Sequence, residues 1–165
     1  VHLSEKSKIA IFEGDEYLTS PIDRTPKFHH YHPNIAILTG IAWDHMNVFP
    51  TFDNYVEQFA IYLEKIIPGG ALIYFETDEN IQKILHRIPD NVKLLPYNTF
   101  PHSINLGTTY LETASQKIAL QIFGEHNLQN ISAAYLDKRG LERLTQDING
   151  VNRQIGARKG VISYG

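Results

Sequence analysis

Two short apolar runs, each followed closely by acidic or imidazole side chains, constrain this chain more than any other feature. Residues 9–12 read IAIF and precede the cluster EGDE at 13–16, and residues 35–39 read IAILT and lead to Asp44 and His45. Short apolar runs rich in β-branched residues and closed by polar loops predict buried strands. In open α/β sheets the ligand crevice lies beyond the carboxyl ends of the strands. We therefore expect two neighbouring strands to place Glu13 and His45 on one rim, as oxygen and nitrogen ligands for a cation.

The same pattern has an ordinary structural interpretation. A charged pair after a strand is also what a solvated loop contains, and a single histidine is often structural rather than a ligand. Because short motif matches have a real false-positive rate, spacing alone leaves both interpretations open.

Composition limits the class of protein to which the chain can belong. Its 165 residues are 42% apolar and 20% charged, with a net charge of -3 and no cysteine. That length is enough for one domain with a core, and the charge gives no footprint for nucleic acid. No apolar stretch approaches the roughly 20 residues that span a bilayer. The first residues lack the basic and apolar regions of a signal peptide, and the absence of cysteine excludes disulfides, so we expect a cytoplasmic protein that does not associate with membranes.

The order of the predicted elements indicates an α/β fold. Apolar runs and alternation predict strands at 8–12, 34–40, 71–75, 92–96, 108–112 and 117–123, and a three-to-four-residue apolar repeat or capping signals predict helices at 51–67, 79–87 and 126–138. Alternating strands and helices imply a mostly parallel sheet flanked by helices, and the strand-rich later portion suggests some antiparallel pairing. We expect a loop around Pro101 and His102.

Four segments resemble one family. They read EGDEY at 13–17, DRTPKFHHY at 23–31, DHMNVF at 44–49 and GEHNLQNISAA at 124–134. Their order and content resemble the central domain of the Mur ligases, ATP-dependent enzymes that join amino acids or peptides to UDP-N-acetylmuramic acid on a P-loop NTPase-related fold. The segment at 23–31 is most similar to the murein peptide ligases of cell-wall recycling, which attach the tripeptide L-alanyl-γ-D-glutamyl-meso-diaminopimelate. The ligases that add L-alanine in peptidoglycan biosynthesis are the alternative.

The resemblance implies a magnesium site at the two clusters. It assigns Glu13 to the magnesium bound with ATP and His45 to a second magnesium near the γ-phosphate, with Asp44 orienting the imidazole. Asp15 and Glu16 are left between a supporting role and a solvated loop. Several relatives carry a carbamylated lysine on the following helix, but residues 57–61 contain none, so that role is not transferred. Asn47 stands where many relatives carry aspartate.

The resemblance also implies a nucleotide site at the later motif. It places adenine against Asn127 and Asn130, with His126 nearby, because a carboxamide offers a donor and an acceptor to an adenine edge. Asn127 at the start of a helix is equally explained as an N-cap. Near the end of the chain, the sequence GVNR faintly resembles a family motif and would place Arg153 near phosphate.

The family pattern predicts that this sequence is part of a longer ligase. It contains no G-x-x-x-x-G-K-[ST] loop, which the resemblance places upstream of Val1. We expect residues 1–139 to be part of the central ATP-binding domain and residues 140–165 to end it and lead into a missing C-terminal domain. The isolated fragment is therefore expected to be inactive. The sequence does not predict an oligomeric state.

The expected activity is amide-bond formation between the carboxylate of UDP-N-acetylmuramate and a peptide or amino acid, through an acyl phosphate formed from ATP. Two other classes remain open. A metal-dependent phosphoester hydrolase would use the acidic residues and histidine of the two clusters, namely Asp15, Glu16, Asp44 and His45. A non-catalytic nucleotide-binding domain would bind adenine nucleotides without needing His45.

Overall fold

The computed structural model describes residues 9–112, 117–121, 124–134 and 160–164. It contains a five-stranded sheet, formed by β1 (Ile9–Glu13), β2 (Ile35–Leu38), β3 (Ala71–Phe75), β4 (Lys93–Tyr97) and β8 (Gly160–Tyr164), and a three-stranded sheet, formed by β5 (His102–Asn105), β6 (Thr108–Glu112) and β7 (Lys117–Leu120). The helices are α1 (Phe52–Leu63), α2 (Glu79–Ile84) and α3 (residues 125–134), with 3-10 turns at Lys27–His30 and Leu85–Arg87. All pairs in the larger sheet are parallel and those in the smaller sheet are antiparallel, which confirms the predicted α/β class.

The order of the larger sheet separates the two strands that lead to the acidic and imidazole clusters. Its strands run β1-β8-β2-β3-β4, so the expectation that β1 and β2 are neighbours is wrong. Because adjacent strands lie about 4.8 Å apart, the intervening β8 separates β1 from β2 by roughly 10 Å. Parallel pairing still brings the carboxyl ends of β1 and β2 to the same edge of the sheet.

The core lies around the central strands and α1. Every residue of β2 and β3 is buried, as expected for continuous apolar strands that are covered on both faces. The prediction that the apolar run at β1 is also buried is wrong, because four of its five residues are exposed. Helix α1 presents Tyr55, Phe59 and Leu63 to this core at a spacing of four residues. Its start is as predicted, since the Thr51 hydroxyl oxygen accepts a hydrogen bond from the backbone N–H of Asn54 at 3.2 Å.

Helix α1 is shorter than the predicted 51–67 because its end tightens. The N–H groups of Lys65 and Ile66 donate to carbonyls three residues earlier rather than four, and Pro68 follows. Another correction is β5, which occupies the region predicted to be a loop around His102. It forms a hairpin with β6 through a two-residue turn, in which Leu106 and Gly107 have φ of 47° and 79°. Leucine rarely adopts positive φ, so the turn residues did not signal the hairpin.

Gly70 lies where the chain enters β3 and has no room for a side chain. A Cβ there would stand 2.7 Å from the Asn34 carbonyl oxygen and 2.9 Å from the Ile67 carbonyl oxygen. We expect Gly70→Ala to lower the free energy of unfolding by about 1–3 kcal/mol, because backbone must shift to admit the methyl group. At Gly40 the nearest contact of such a Cβ is 3.5 Å, so Gly40→Ala is the matched control. Urea denaturation that shows equal stability for the two variants would contradict this prediction.

None of the helices in the described residues combines the length and apolar character needed to cross a membrane.

Candidate functional site at the carboxyl edge of the sheet

A compact group of potential ligands forms where the loops after β1 and β2 meet. Glu16, Asp44 and His45 each offer a ligand atom, and these atoms lie within 4.8 Å of one another. The His45 Nε2 atom is 3.3 Å from Glu16 Oε1, and His45 Nδ1 is 3.9 Å from Asp44 Oδ1. The Glu16 side chain is 22% exposed and that of Asp44 is 73% exposed, so the group has a sheltered side and an open side.

The backbone at His45 is unusual. Its φ of 52° lies in the left-handed region, which non-glycine residues seldom occupy. The conformation is held by hydrogen bonds to the His45 carbonyl oxygen from the N–H groups of Val48 and Phe49, at 2.8 and 3.0 Å. The Asp44 carboxylate also accepts the His45 backbone N–H at 2.6 Å. Strained backbone of this kind persists where the surrounding structure determines it and is concentrated at functional sites.

Tyr55 forms a hydrogen bond with the carboxylate of Glu16. This tyrosine projects from α1, is 3% exposed, and its hydroxyl donates to Glu16 Oε1 at 3.3 Å. Burial raises the pKa of Tyr55, and the negative charge of Glu16 adds to the effect, so the phenol keeps its proton. The apolar repeat that predicted this helix gave no sign of a polar role for Tyr55, because the residue lies on the apolar face.

Lys27 connects the acidic cluster at 13–16 to the 3-10 turn at Lys27–His30. Its ammonium donates to the Asp15 carboxylate, and the hydrogen bond from Lys27 lowers the pKa of the Asp15 carboxyl. Two backbone bonds run alongside, from Lys27 N–H to the Tyr17 carbonyl and from Phe28 N–H to the Asp15 carbonyl, at 3.0 and 3.1 Å. The buried ring of Phe28 anchors this segment in the core. The Lys27 ammonium is therefore engaged with Asp15.

A pocket lies on the same edge of the sheet, beyond β2 and β3. Its volume is about 320 Å³, within the usual range for small-molecule sites. The lining residues come from the loop after β2, the end of β3, the start of α2 and the helix α3: Thr39, Gly40, Ile41, Ala42, Phe75, Asp78, His126, Gln129 and Asn130. This is the position at which open parallel sheets bind ligands.

Asp78 fixes the shape of one wall of the pocket. One carboxylate oxygen accepts the Ile41 backbone N–H at 2.9 Å, and the other caps α2 by accepting from Asn80 and Ile81 N–H at 2.8 and 3.0 Å. The loop after β2 is thereby tied to the start of α2. Three residues beyond the lining residue Ala42 the same loop reaches His45, so one segment connects the pocket to the cluster formed by Glu16, Asp44 and His45.

The structure brings some of the predicted site residues together and separates others. Glu13 is exposed at the end of β1 and is not part of the cluster, to which Glu16 contributes instead. On α3, His126 and Asn130 line the pocket, whereas Asn127 is on the same helix but is not among the lining residues. Residues 126 and 130 share a helix face, and residue 127 is rotated by about 100° from residue 126. Arg153 lies outside the described residues.

The cluster formed by Glu16, Asp44 and His45 has the ligand types that a divalent cation bound together with an anionic ligand requires. Two carboxylate groups supply the oxygen atoms that magnesium prefers, and the imidazole adds a nitrogen atom that manganese also accepts. Three protein ligands would leave positions for water and for phosphate oxygens, as is usual for magnesium at nucleotide sites.

Comparison with known proteins places this geometry in a family context. The model of the Mur ligase middle domain matches residues 2–136. The chain is 25% identical over 134 residues to the UDP-N-acetylmuramate–L-alanine ligase of Streptomyces coelicolor, a match that covers 74% of this chain and 29% of the relative. It is 35% identical over 85 residues to the UDP-N-acetylmuramate–L-alanyl-γ-D-glutamyl-meso-2,6-diaminoheptandioate ligase of Escherichia coli, covering 51% of this chain and 18% of that one.

Solved structures support the fold. A UDP-N-acetylmuramate:L-alanyl-γ-D-glutamyl-meso-diaminopimelate ligase from Neisseria meningitides superposes with a TM-score of 0.61 at 20% sequence identity, covering 77% of this chain and 41% of that one. At that identity the likeness shows the fold alone. The chain spans less than a third of the length of the curated relatives from Streptomyces coelicolor and Escherichia coli.

Proposed function

From the premise that this chain belongs to the Mur ligase middle-domain family, we propose that it is the ATP-handling part of a ligase that forms an amide bond on UDP-N-acetylmuramate. The observation that carries the proposal is the continuity of residues 39–45, which line the pocket at one end and supply two members of the candidate cation cluster at the other. A nucleotide whose base occupies the pocket can then extend its phosphates toward His45. The proposed location is the cytoplasm.

The proposed reaction has two steps. The carboxylate of the sugar nucleotide attacks the γ-phosphorus of ATP, and the bond from that phosphorus to the bridging oxygen breaks to release ADP. The amine of the second substrate then attacks the acyl carbon and displaces phosphate, and the amine proton is lost as the amide forms. Phosphoryl transfer of this kind needs positioning and neutralisation of charge more than a protein nucleophile.

The residues of the cluster have separable roles in this scheme. Glu16 and His45 would hold a magnesium ion, which would supply neutralisation of the negative charge on the phosphate oxygens. Glu13, which the family resemblance assigns to that ion, is a further candidate ligand. Asp44 fixes the His45 backbone through its hydrogen bond to the His45 N–H, and Tyr55 holds Glu16 in place.

The second substrate is proposed to be the tripeptide L-alanyl-γ-D-glutamyl-meso-diaminopimelate, with L-alanine as the alternative. The segment at 23–31 favours the tripeptide, and relatives with each activity are similar to this chain.

A coupled assay on the full-length protein tests the activity. ATP, magnesium and UDP-N-acetylmuramate would be supplied with either the tripeptide or L-alanine, and both released phosphate and the amide product would be measured. We expect product with one of the two and no phosphate release without UDP-N-acetylmuramate. Phosphate release from a phosphoester alone would indicate the hydrolase instead, and a folded protein that forms no product with either would contradict the proposal.

The adenine contact can be tested separately. We expect Asn130→Leu to weaken binding of ADP roughly tenfold to 100-fold, because a pocket amide that meets the adenine edge would be replaced by a side chain unable to form a hydrogen bond. Asn127→Leu, measured in parallel, shows whether the second predicted amide also contacts the base. Asn91→Leu replaces an exposed amide in a turn and is the matched control. Calorimetric affinities that are equal for Asn130→Leu and Asn91→Leu would contradict this placement of adenine.

A further inference from the structure

Tyr17 stands beside the cluster formed by Glu16, Asp44 and His45 without being one of its ligands. Its ring meets the His45 imidazole edge-on, with ring centroids 5.0 Å apart and an interplanar angle of 75°. The side chain is 38% exposed, so the phenol is accessible to a molecule that approaches the cluster. Tyr17 directly follows Glu16, and the backbone bond from Lys27 N–H to its carbonyl holds it in place.

The hydroxyl of Tyr17 has one neighbour that determines how it can be used. The Asn47 side-chain nitrogen donates to the Tyr17 oxygen at 3.2 Å. An amide nitrogen can only donate, so the phenol oxygen is the acceptor in this contact and its own hydrogen is not consumed. Within the described parts of the chain, no residue accepts that hydrogen.

We propose that Tyr17 donates its phenolic hydrogen bond to an anionic oxygen, from phosphate or carboxylate, of a ligand held at Glu16, Asp44 and His45. Asn47 acts as a positioning residue, since it fixes the phenol from the acceptor side and leaves the O–H for the ligand. The inference rests on the proposed function, which brings both a triphosphate and a carboxylate to this edge.

Two variants distinguish the proposal from a simple connection between two loops. Tyr17→Phe removes the hydroxyl and keeps the ring that meets the His45 imidazole. Asn47→Leu removes the donor that fixes the phenol. A merely structural role predicts a loss of stability with unchanged ligand affinity, whereas the proposal predicts that both variants weaken the same ligand.

The experiment is a double-mutant cycle in the full-length protein. Wild type, Tyr17→Phe, Asn47→Leu and the double variant would be titrated calorimetrically with magnesium ADP, magnesium ATP, UDP-N-acetylmuramate and UDP-N-acetylglucosamine, and KM and kcat would be measured for each substrate. We expect Tyr17→Phe to weaken one ligand roughly tenfold to 100-fold, the range for a hydrogen bond to a charged group. We expect Asn47→Leu to weaken the same ligand. Because Asn47 acts through the phenol, most of the Asn47→Leu effect should disappear when Phe occupies position 17.

The ligand that weakens identifies the source of the anionic oxygen. Weaker ATP binding indicates a phosphate contact, and weaker binding of UDP-N-acetylmuramate but not of UDP-N-acetylglucosamine, which lacks the carboxylate, indicates the carboxylate. Unchanged ligand affinity in Tyr17→Phe, or an Asn47→Leu effect that is equally large in both backgrounds, would overturn the inference while leaving the proposed function intact. A folded wild-type protein that binds none of these ligands would overturn both.

Discussion

Replacing His45 by alanine in the full-length protein is expected to lower kcat/KM for ligation by about 100-fold or more. The imidazole is the one nitrogen ligand of the cluster, and Glu16 lies 3.3 Å from it. Loss of a cation that neutralises phosphoryl charge removes several kcal/mol of transition-state stabilisation, and each 1.36 kcal/mol corresponds to about tenfold in rate. The rate should be measured as amide product formed at several magnesium concentrations.

The matched control is His32→Ala, because His32 is exposed and outside the cluster. A fall of less than about threefold in His45→Ala, with the control unchanged, would contradict the role of the cluster. Glu16→Gln and Glu13→Gln belong in the same series. The first tests the carboxylate that lies beside His45, and the second tests the carboxylate assigned by family resemblance.

Replacing Phe28 by alanine is expected to lower the free energy of unfolding by about 3–5 kcal/mol, the usual range for a buried phenylalanine. The side chain is 2% exposed. Its ring centroid lies 5.4 Å from that of Phe59 and 4.9 Å from that of Tyr62. Removal of the ring would therefore leave a cavity between the 3-10 turn at Lys27–His30 and α1. Chemical denaturation monitored by circular dichroism measures this effect.

The control for this prediction is Ile22→Ala, which removes an apolar side chain that is 97% exposed. It should change stability by less than about 0.5 kcal/mol. Similar losses for the two variants would show that Phe28 does not anchor the segment. The backbone N–H of residue 28 donates to the Asp15 carbonyl and so connects this segment to the acidic cluster at 13–16. Loss of the ring that anchors residue 28 should therefore loosen that cluster and reduce nucleotide-dependent activity as well.

The central part of the fold was predictable because its sequence signals are local. The runs at β2 and β3 are continuously apolar, and the helix that follows Thr51 has both a cap and an apolar repeat. The hairpin of β5 and β6 was missed because Leu106 occupies a position with positive φ, where turn rules expect Gly, Asn or Asp. The place of β8 depends on pairing between distant parts of the chain, which periodicity does not specify.

The location of the candidate site was predictable from the sequence, but the residues that form it were only partly predictable. Parallel strands ending in polar residues indicated the carboxyl edge, and the structure puts His45 there with the pocket. The partner of His45 is Glu16 rather than Glu13, because β8 separates β1 from β2 and the loop must extend further to reach the imidazole. Tyr17 and Tyr55 were not assigned polar roles, since their contacts with His45 and Glu16 depend on tertiary packing.

The most direct test of the account is anomalous diffraction from crystals of the full-length protein grown with manganese and a non-hydrolysable ATP analogue. The account predicts a manganese peak within coordination distance of an imidazole nitrogen of His45, with Glu16 or Glu13 as a carboxylate ligand. It also predicts adenine in the pocket between residues 39–42 and the face of α3 that carries Asn130. A nucleotide bound elsewhere, or manganese with no contact to His45, would contradict it.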